Sequence, residues 1–508
     1  MCWRREGCPP RGLGNLADDP DELEVAVAEG RVLAIDLGTS SARALVFDQA
    51  GRAVPEVLAR RPSPLRVEDD GTAELDPDRV VDAVGACLDE LAAQGNLDAV
   101  ETVALSSAWH TVLAVDRGGR PLSAALTWAD TRAAGLVGEL AGRTDPARLH
   151  AETGAPLHAT FWTVKVPWLA RQLGGAPARY LGVADYLAAR LLGDGGASLS
   201  MASGTGLLDL ATAGWNQAAL DLAGVGPAAL PTLHQPGWTG RLTPAPARRW
   251  PALATARWYP AWGDGAASNV GAGCVTPAFA NVNVGTSAAV RTVHDAPGAP
   301  LPRTLWRYRV DRDRVVTGAA FSGGGNLWTW AGKVLALPGR EAVDAALATV
   351  PPGSAGVTVL PYHAGARAPM QVPAGSGAVL GLSLATTAVE IVAASLEAVC
   401  FGLADGLEDL ETTLPGTPTV VASGGGITAS RWWQRTLANV IGRPVQVTDE
   451  PEASARGAAL LALGAASEPA TTHAVEPDPA AVAAERAARA TFHDLETRLG
   501  YRSDRPDA

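Results

Sequence analysis

The sequence predicts an α/β protein made of two related halves. Three observations carry that expectation. At 508 residues the chain exceeds the usual size of one compact domain. Short apolar strands alternate with helical patterns along its length. And "LAIDLGTSSARALVFD", residues 33–48, is nearly restated as "NVNVGTSAAVRTVHD", residues 281–295. Gly-Thr-Ser falls at 38–40 and again at 285–287, while Asp36 in the first copy corresponds to Asn283 in the second.

Taken in order, residues 1–30 show no signal-peptide core and read as a disordered leader or a start assigned too early. "RVLAIDL" and "ARALVFD" flank the first turn as a hairpin. "DPDRVVDAVGACLDELAAQG" predicts a helix capped by Asp76, with Pro77 in its first turn, stopped by Gly95. Val80, Val81, Val84, Cys87, Leu88 and Leu91 make its apolar face. "VETVALSS" and "HTVLAVD" follow as strands around an "RGGR" turn. The halves meet near 258–262, which is also the expected hinge, so residues 31–260 form one domain and 261–465 the other. "GTPTVVASGGGITASRWWQRTLANVIGRPVQVTD" reads as strand, glycine turn, helix and strand, and "SARGAALLALG" as a further helix. Acidic, Pro-Ala-rich 466–478 reads as a linker, with a terminal helix at 479–498 inside a 466–508 tail.

Composition narrows the function. A net charge of −12 excludes a nucleic-acid partner, which would demand clustered Lys and Arg. The basic residues are nearly all Arg; the lysines are Lys165 and Lys333. No run approaches the ~20 apolar residues of a membrane span. Five cysteines without paired spacing suit a reducing cytoplasm.

A tight glycine turn between strands can aim backbone N–H groups at one anion, with Thr and Ser hydroxyls as added donors. One such turn is an ordinary hairpin; two matched ones, with Gly424-Gly425-Gly426 at a strand-to-helix turn, point to nucleotide phosphates. Lys333 lacks the spacing of a Walker A loop, and only Gly38 stands where a dinucleotide fingerprint needs three glycines.

The chain resembles the FGGY carbohydrate kinases of the actin-like ATPase and sugar kinase superfamily. "DLGTS", "SSAWHTVLAVDRGGRPLSAALTWADTR", "FWTVKVPWL", "WGDGAASNVGAGC", "FSGGGNLWTW", "LPYHAGARAP" and "ASGGGITASRWWQRTLANVIGRPV" match that family's segments in order, from about 31 to 498. The resemblance implies two actin-like (ribonuclease H-like) domains around a central cleft, ATP and Mg²⁺ as cofactors, and a small-molecule sugar or sugar acid as partner. Such kinases are often homodimers.

By that resemblance Asp264 is the general base, with Gly265 letting substrate approach the backbone, and Asp36 orients Mg²⁺. Thr39, Ser40 and Arg43, after Gly38, face the transferred phosphate, Arg43 having a surface-strand position as its alternative. Gly285 and Thr286 hold the other phosphates, and Gly324, Gly425 and Gly426 line an adenosine pocket. His110, Trp128, Asp130, Arg132 and Lys165 bind the sugar. "TWADTR", "GDGAASNVGAG" and "GGNLWTW" resemble gluconokinases of the family more than xylulokinases, and Arg132, Lys165 and His110 are expected to balance the gluconate carboxylate. "LHATFW" departs from the gluconokinase pattern, so a xylulokinase or other polyol kinase stays open. An actin-like ATPase without a sugar, or a sugar-sensing pseudokinase, are the alternatives of another class; both leave Asp264 and "WADTR" without a use.

Overall fold

The computed structural model describes residues 30–502 apart from 64, 297–299, 354–355, 367–371, 373–374 and 466–467. The expected leader therefore lies outside the described residues, residue 30 excepted. The first sheet begins as the sequence predicts. β1 (Arg31–Leu37) and β2 (Ser41–Phe47) pair antiparallel around the first Gly-Thr-Ser turn. β3 (Ala53–Pro62) extends the antiparallel side. α1 (Pro77–Ala93) starts where the Asp76 side chain accepts from the N–H groups of Asp78 and Arg79, and buries Val80, Val84, Cys87, Leu88 and Leu91. Capping satisfies donors that the first turn leaves without partners, and the 3.6-residue stripe then docks on the sheet. β4 (Val100–Ser107) lies parallel to β1 on its other side. Two short strands, β5 (Arg257–Trp258) and β6 (Trp262–Gly263), both pair parallel with β4.

That pairing corrects the expected hinge. Residues 258–262 are stitched into the first sheet at both ends, with Trp258 opposite Val103 and Trp262 opposite Ser106. The chain leaves this sheet later, through the helix α4 (Asp264–Gly271), which follows α2 (Trp162–Gln172) and α3 (Val183–Leu192) in sequence.

The second sheet repeats the first. β7 (Phe279–Val284) and β8 (Ala288–Asp295) form the antiparallel hairpin around Gly285-Thr286-Ser287. β10 (Arg314–Phe321), paired with the edge strand β9 (Trp306–Arg309), extends β8 antiparallel. α5 (Gly325–Val334) and α6 (Ala388–Glu411) follow. β11 (Thr419–Ser423) lies parallel to β7 as β4 lies to β1. α7 (Arg431–Ile441) leads to β12 (Val445–Thr448), parallel to β11. The order β10-β8-β7-β11 thus matches β3-β2-β1-β4, and the sequence repeat is a repeat of topology.

The last elements tie the halves together. α8 (Ala453–Leu463) follows the second sheet in sequence, yet its Ala455, Ala458 and Ala459 pack against Val32, Ala34, Leu45, Phe47 and Ala104 of the first. It also crosses α4 with backbone touching backbone: a Cβ on Gly271 would lie 2.9 Å from the Gly457 nitrogen, and one on Gly457 2.8 Å from the Gly271 nitrogen. The expected linker is a second correction. Residues 471–475 form β13 (Thr471–Val475), an antiparallel edge strand on β12. α9 (Pro479–Arg498) is the predicted terminal helix, held to α6 by Arg489 against Asp405 and Glu408, the latter pair at 2.6 Å.

Candidate active site

A solvent-open cavity lies between the two sheets. Trp109, His110, Trp128, Pro156, His158, Thr160 and Phe161 wall it from the first half. Ser287, Arg291, Trp306, Tyr308 and Ala320 wall it from the second, and Asp264 stands at their junction. His110 and Asp264 follow the C-terminal ends of the parallel strands β4 and β6, where open α/β sheets leave a crevice for ligands.

His110 is held with unusual care. Its backbone has φ 68°, a left-handed conformation that a residue with a Cβ adopts at a cost of the order of 1 kcal/mol. Its Nδ1 lies 2.6 Å from the Gly204 carbonyl, which can only accept, so Nδ1 carries the proton. In the neutral ring Nε2 is then an acceptor, the partner a sugar hydroxyl wants. Beside it the Trp109 indole donates to the Ser200 carbonyl at 3.0 Å and meets Tyr308 edge-on at 5.0 Å. The indole lies against Gly204, Gly263 and Gly265, none of which could carry a side chain without overlapping it.

At the other end, Asp36 on β1 is 5 % exposed, with Arg43 Nη2 3.6 Å away. Arg43 in turn pairs with Glu452 at 2.5 Å, just before α8. Burial pushes the Asp36 carboxyl up to about 6; Arg43 opposes this, and the charges of Asp264 and Glu452 add to it. Asp36, Asp264 and Glu452 thus act on one another by charge, with Arg43 beside Asp36 and Glu452 and Arg291 near Asp264. Among the described residues no cluster of three or more His, Cys, Asp or Glu could hold a metal. Asp36 is the carboxylate that would hold Mg²⁺, an ion that keeps much of its water and takes one or two carboxylates plus phosphate oxygens. Asn283, the counterpart of Asp36, instead donates to Ser423 Oγ at 3.0 Å across to β11. The second turn is docked on α5, whose Gly325 and Asn326 N–H groups donate to the carbonyls of Gly285 and Thr286 at 2.8 and 3.1 Å.

Residues 31–271 match the N-terminal domain of the FGGY family of carbohydrate kinases, and residues 280–466 match its C-terminal domain. The chain belongs to the FGGY carbohydrate kinases. It is 27 % identical to gluconokinase of Bacillus subtilis (strain 168) over 447 residues, covering 85 % of this chain and 87 % of that one. It is 32 % identical to xylulose kinase of Streptomyces rubiginosus over 473 residues, covering 90 % and 91 %. The crystal structure of gluconate kinase from Lactobacillus acidophilus superposes with a TM-score of 0.83 at 24 % identity, covering 92 % of this chain and 98 % of that one. The two-domain actin-like fold and a phosphotransferase class acting on a small-molecule sugar with ATP follow. No helix among the described residues is long and apolar enough to cross a membrane.

Against that frame, the expected residues of this FGGY kinase divide into groups. His110, Trp128 and Asp264 meet at the cavity. Asp130, Arg132 and Lys165 do not line it. Asp130 is 1 % exposed and accepts from the Ala73 N–H and from Arg132. Arg132 is bound at 2.6 Å to both Asp130 and Glu74 and lies over the Trp168 ring. Lys165 is fully buried, donating to the carbonyls of Thr127 and His110, so it clamps the backbone beside Trp128 and under His110 from below. Gly265 differs in cause: the space of its missing side chain is filled by Trp109 and Arg291, a Cβ there lying 2.5 Å from Trp109 Cζ3 and 3.0 Å from Arg291 Nε. Thr39 and Ser40 sit at the tip of the first turn, half-buried and exposed respectively, with Gly38 closing it by donating to the Ser41 carbonyl at 3.1 Å. Gly285 and Gly425 face open space, whereas Gly324 and Gly426 lie against the backbone of Ser287 and Val284, so packing between turns requires those two.

Sequence reasoning missed His158, Thr160, Phe161, Arg291, Trp306 and Tyr308. Thr160 Oγ1 donates to the Trp128 carbonyl at 3.2 Å and its N–H to His158 Nδ1 at 3.1 Å, joining "LHATFW" to the "TWADTR" wall. One signal for Arg291 was available: the period of two along β8 puts Ser287, Ala289 and Arg291 on one face of the hairpin.

Proposed function

We propose that this chain is a cytoplasmic, ATP-dependent kinase that phosphorylates a primary hydroxyl of a sugar acid, D-gluconate to 6-phosphogluconate. The observation that supports it best is the position of Asp264, at the junction of an aromatic-walled cavity that Ser287 of the second turn also walls, and near enough to Asp36 of the first hairpin for their charges to interact. Phosphoryl transfer asks a protein mainly for positioning and charge stabilisation. Trp128, Phe161 and Tyr308 offer flat apolar faces to the carbon chain, His110 an acceptor for one hydroxyl, and Asp264 Oδ an acceptor for the proton of the hydroxyl that attacks. The turns 38–40 and 285–287 hold the ATP phosphates from the two sides, with Arg43 beside the first. Asp36 would hold Mg²⁺, whose chemistry there would be neutralisation of phosphate charge. Closure of the cleft excludes water that would otherwise take the phosphoryl group.

The test is ADP release by the purified protein with ATP, Mg²⁺ and a panel of gluconate, xylulose, ribulose, glycerol and other sugar acids, with Asp264→Asn alongside. A gluconate response lost by a factor on the order of 10²–10⁴ in the variant is expected. ATP hydrolysis that ignores every polyol and survives Asp264→Asn would remove the reading. Phosphorylation of a pentulose is the second reading, favoured by the 32 % identity to the Streptomyces rubiginosus xylulose kinase; it keeps the mechanism and changes the substrate.

A further inference from the structure

The cations expected to meet a substrate carboxylate, Arg132 and Lys165, are both spent on the protein itself, one on Asp130 and Glu74 and the other on two carbonyls. Among the described residues that wall the cavity, one carries a permanent positive charge: Arg291, on β8. Its guanidinium has few protein partners. Nη1 donates to Ser268 Oγ at a long 3.3 Å, and Nε is buried with no hydrogen-bond partner among the described residues. Taking a guanidinium out of water without meeting its donors costs stability, and an anion bound in this cavity would offset that cost through the Nη groups. Burial pulls the Arg291 guanidinium below its ordinary value, with the Asp264 and Tyr308 charges opposing this.

The place is informative as well as the charge. Arg291 Nε lies by Gly265 and its Nη1 by Ser268, so the guanidinium runs along α4 from next to the base towards the following turn. Asp264 and Arg291 both wall the cavity. A substrate that presents a hydroxyl to Asp264 therefore shares that cavity with the guanidinium. A neutral ketose has no use for a buried cation there; an aldonate has a carboxylate.

We infer that Arg291 is the residue that selects an acidic sugar, its guanidinium binding the carboxylate of an aldonate whose far hydroxyl is presented to Asp264. This rests on the reading of the site as a sugar kinase and deepens it to a substrate class. It also makes recognition bipartite: His110 and Trp128 come from the half that carries β1–β6, the carboxylate reader from the hairpin that holds ATP, so an acidic substrate is gripped from both sides of the cleft.

The experiment compares kcat/KM for gluconate and for neutral xylulose in the wild-type enzyme, Arg291→Lys and Arg291→Met, with melting temperature and binding of a non-hydrolysable ATP analogue as checks on folding. Where neutral sugars react too slowly to follow, inhibition of the gluconate reaction by glucitol supplies the neutral arm. Loss of a charge-assisted hydrogen bond predicts a fall of about a hundredfold for gluconate in Arg291→Met, mostly in KM, against a few-fold for the neutral sugar. Arg291→Lys recovers part of the acid preference. Equal losses on acidic and neutral sugars would overturn the inference, since a merely structural arginine gives that result. So would a wild-type enzyme that phosphorylates neutral polyols and no sugar acid. Turnover of no polyol at all would instead overturn the kinase reading beneath it.

Discussion

Gly265→Ala sets two effects against each other. Gly265 is the second residue of α4, and in a helix alanine is favoured over glycine by about 1 kcal/mol. The new methyl, however, falls 2.5 Å from Trp109 Cζ3 and 3.2 Å from Arg291 Cζ. Carbon contacts settle near 3.5–4 Å, so the indole must retreat by about 1 Å. It has little room, being held by its bond to Ser200 and by Gly204 and Gly263 at its other faces. Overpacking of this kind costs about 1–3 kcal/mol, which the helix gain offsets in part. The melting temperature should therefore move by only a few degrees. Activity should suffer more, because the moved groups adjoin Asp264 and His110, and ~1 Å of misplacement can cost about a hundredfold. Steady-state kcat/KM for the preferred sugar, with thermal melting beside it, reads both. Adding Trp109→Phe, which removes the clashing part of the ring, should recover activity relative to Gly265→Ala alone. Wild-type kcat/KM in Gly265→Ala, or a double variant no better than the single, would refute the reasoning.

Other perturbations follow from the same geometry. Burial pushes the carboxyl of Asp185, which accepts from the Gly182 N–H at the start of α3, up to about 7, the Gly182 bond and Arg179 opposing it and Asp194 adding to it. Between about pH 4 and 7 the folded chain thus holds a proton that the unfolded chain has released, so stability falls as pH rises through that window, by at most about 4 kcal/mol. Asp185→Asn should flatten that part of a melting-temperature profile; an unchanged slope would count against the assignment. Lys165→Met removes a donor from the buried carbonyls of His110 and Thr127 and should lower the melting temperature together with sugar affinity; a changed KM with an unaltered melt would mean Lys165 touches substrate instead. Ending the chain at Ala465 strips β13 from β12 and α9 from α6, and should lower stability; an unaffected melt would restore the linker reading of 466–478.

Much of this molecule is legible in its sequence because the signals are local. Asp76 and Pro77 start α1 at the expected place, the apolar runs around each Gly-Thr-Ser pair as hairpins, and the repeat reappears as matched sheet order. His110, Trp128 and Asp264 could be placed because each follows closely on a predicted strand or belongs to a motif. What was hidden depends on orientation and distance. Arg132 and Lys165 are the right residue types in the right segments, but tertiary partners more than 30 residues away turn them into the protein: Glu74 for one and the carbonyls of Thr127 and His110 for the other. Trp306, Tyr308 and Arg291 reach the cavity only because β9 and the second hairpin are laid against the first half, where the Arg307 N–H donates to the Gly154 carbonyl at 2.9 Å. β13 was masked by its acidic, Pro- and Ala-rich flanks, although Thr471-Thr472 suits an edge strand.

The crossing of α4 and α8 joins chemistry to mechanics. Where Gly271 meets Gly457 backbone lies on backbone, and Arg456 of α8 donates to the Gly271 carbonyl, so the two helices are locked at that point. Asp264 lies at the other end of α4, about 10 Å away. A side chain at either glycine would wedge the helices apart and shift the arm that carries the carboxylate. The spacing of that arm is thus set by two glycines outside the cavity wall.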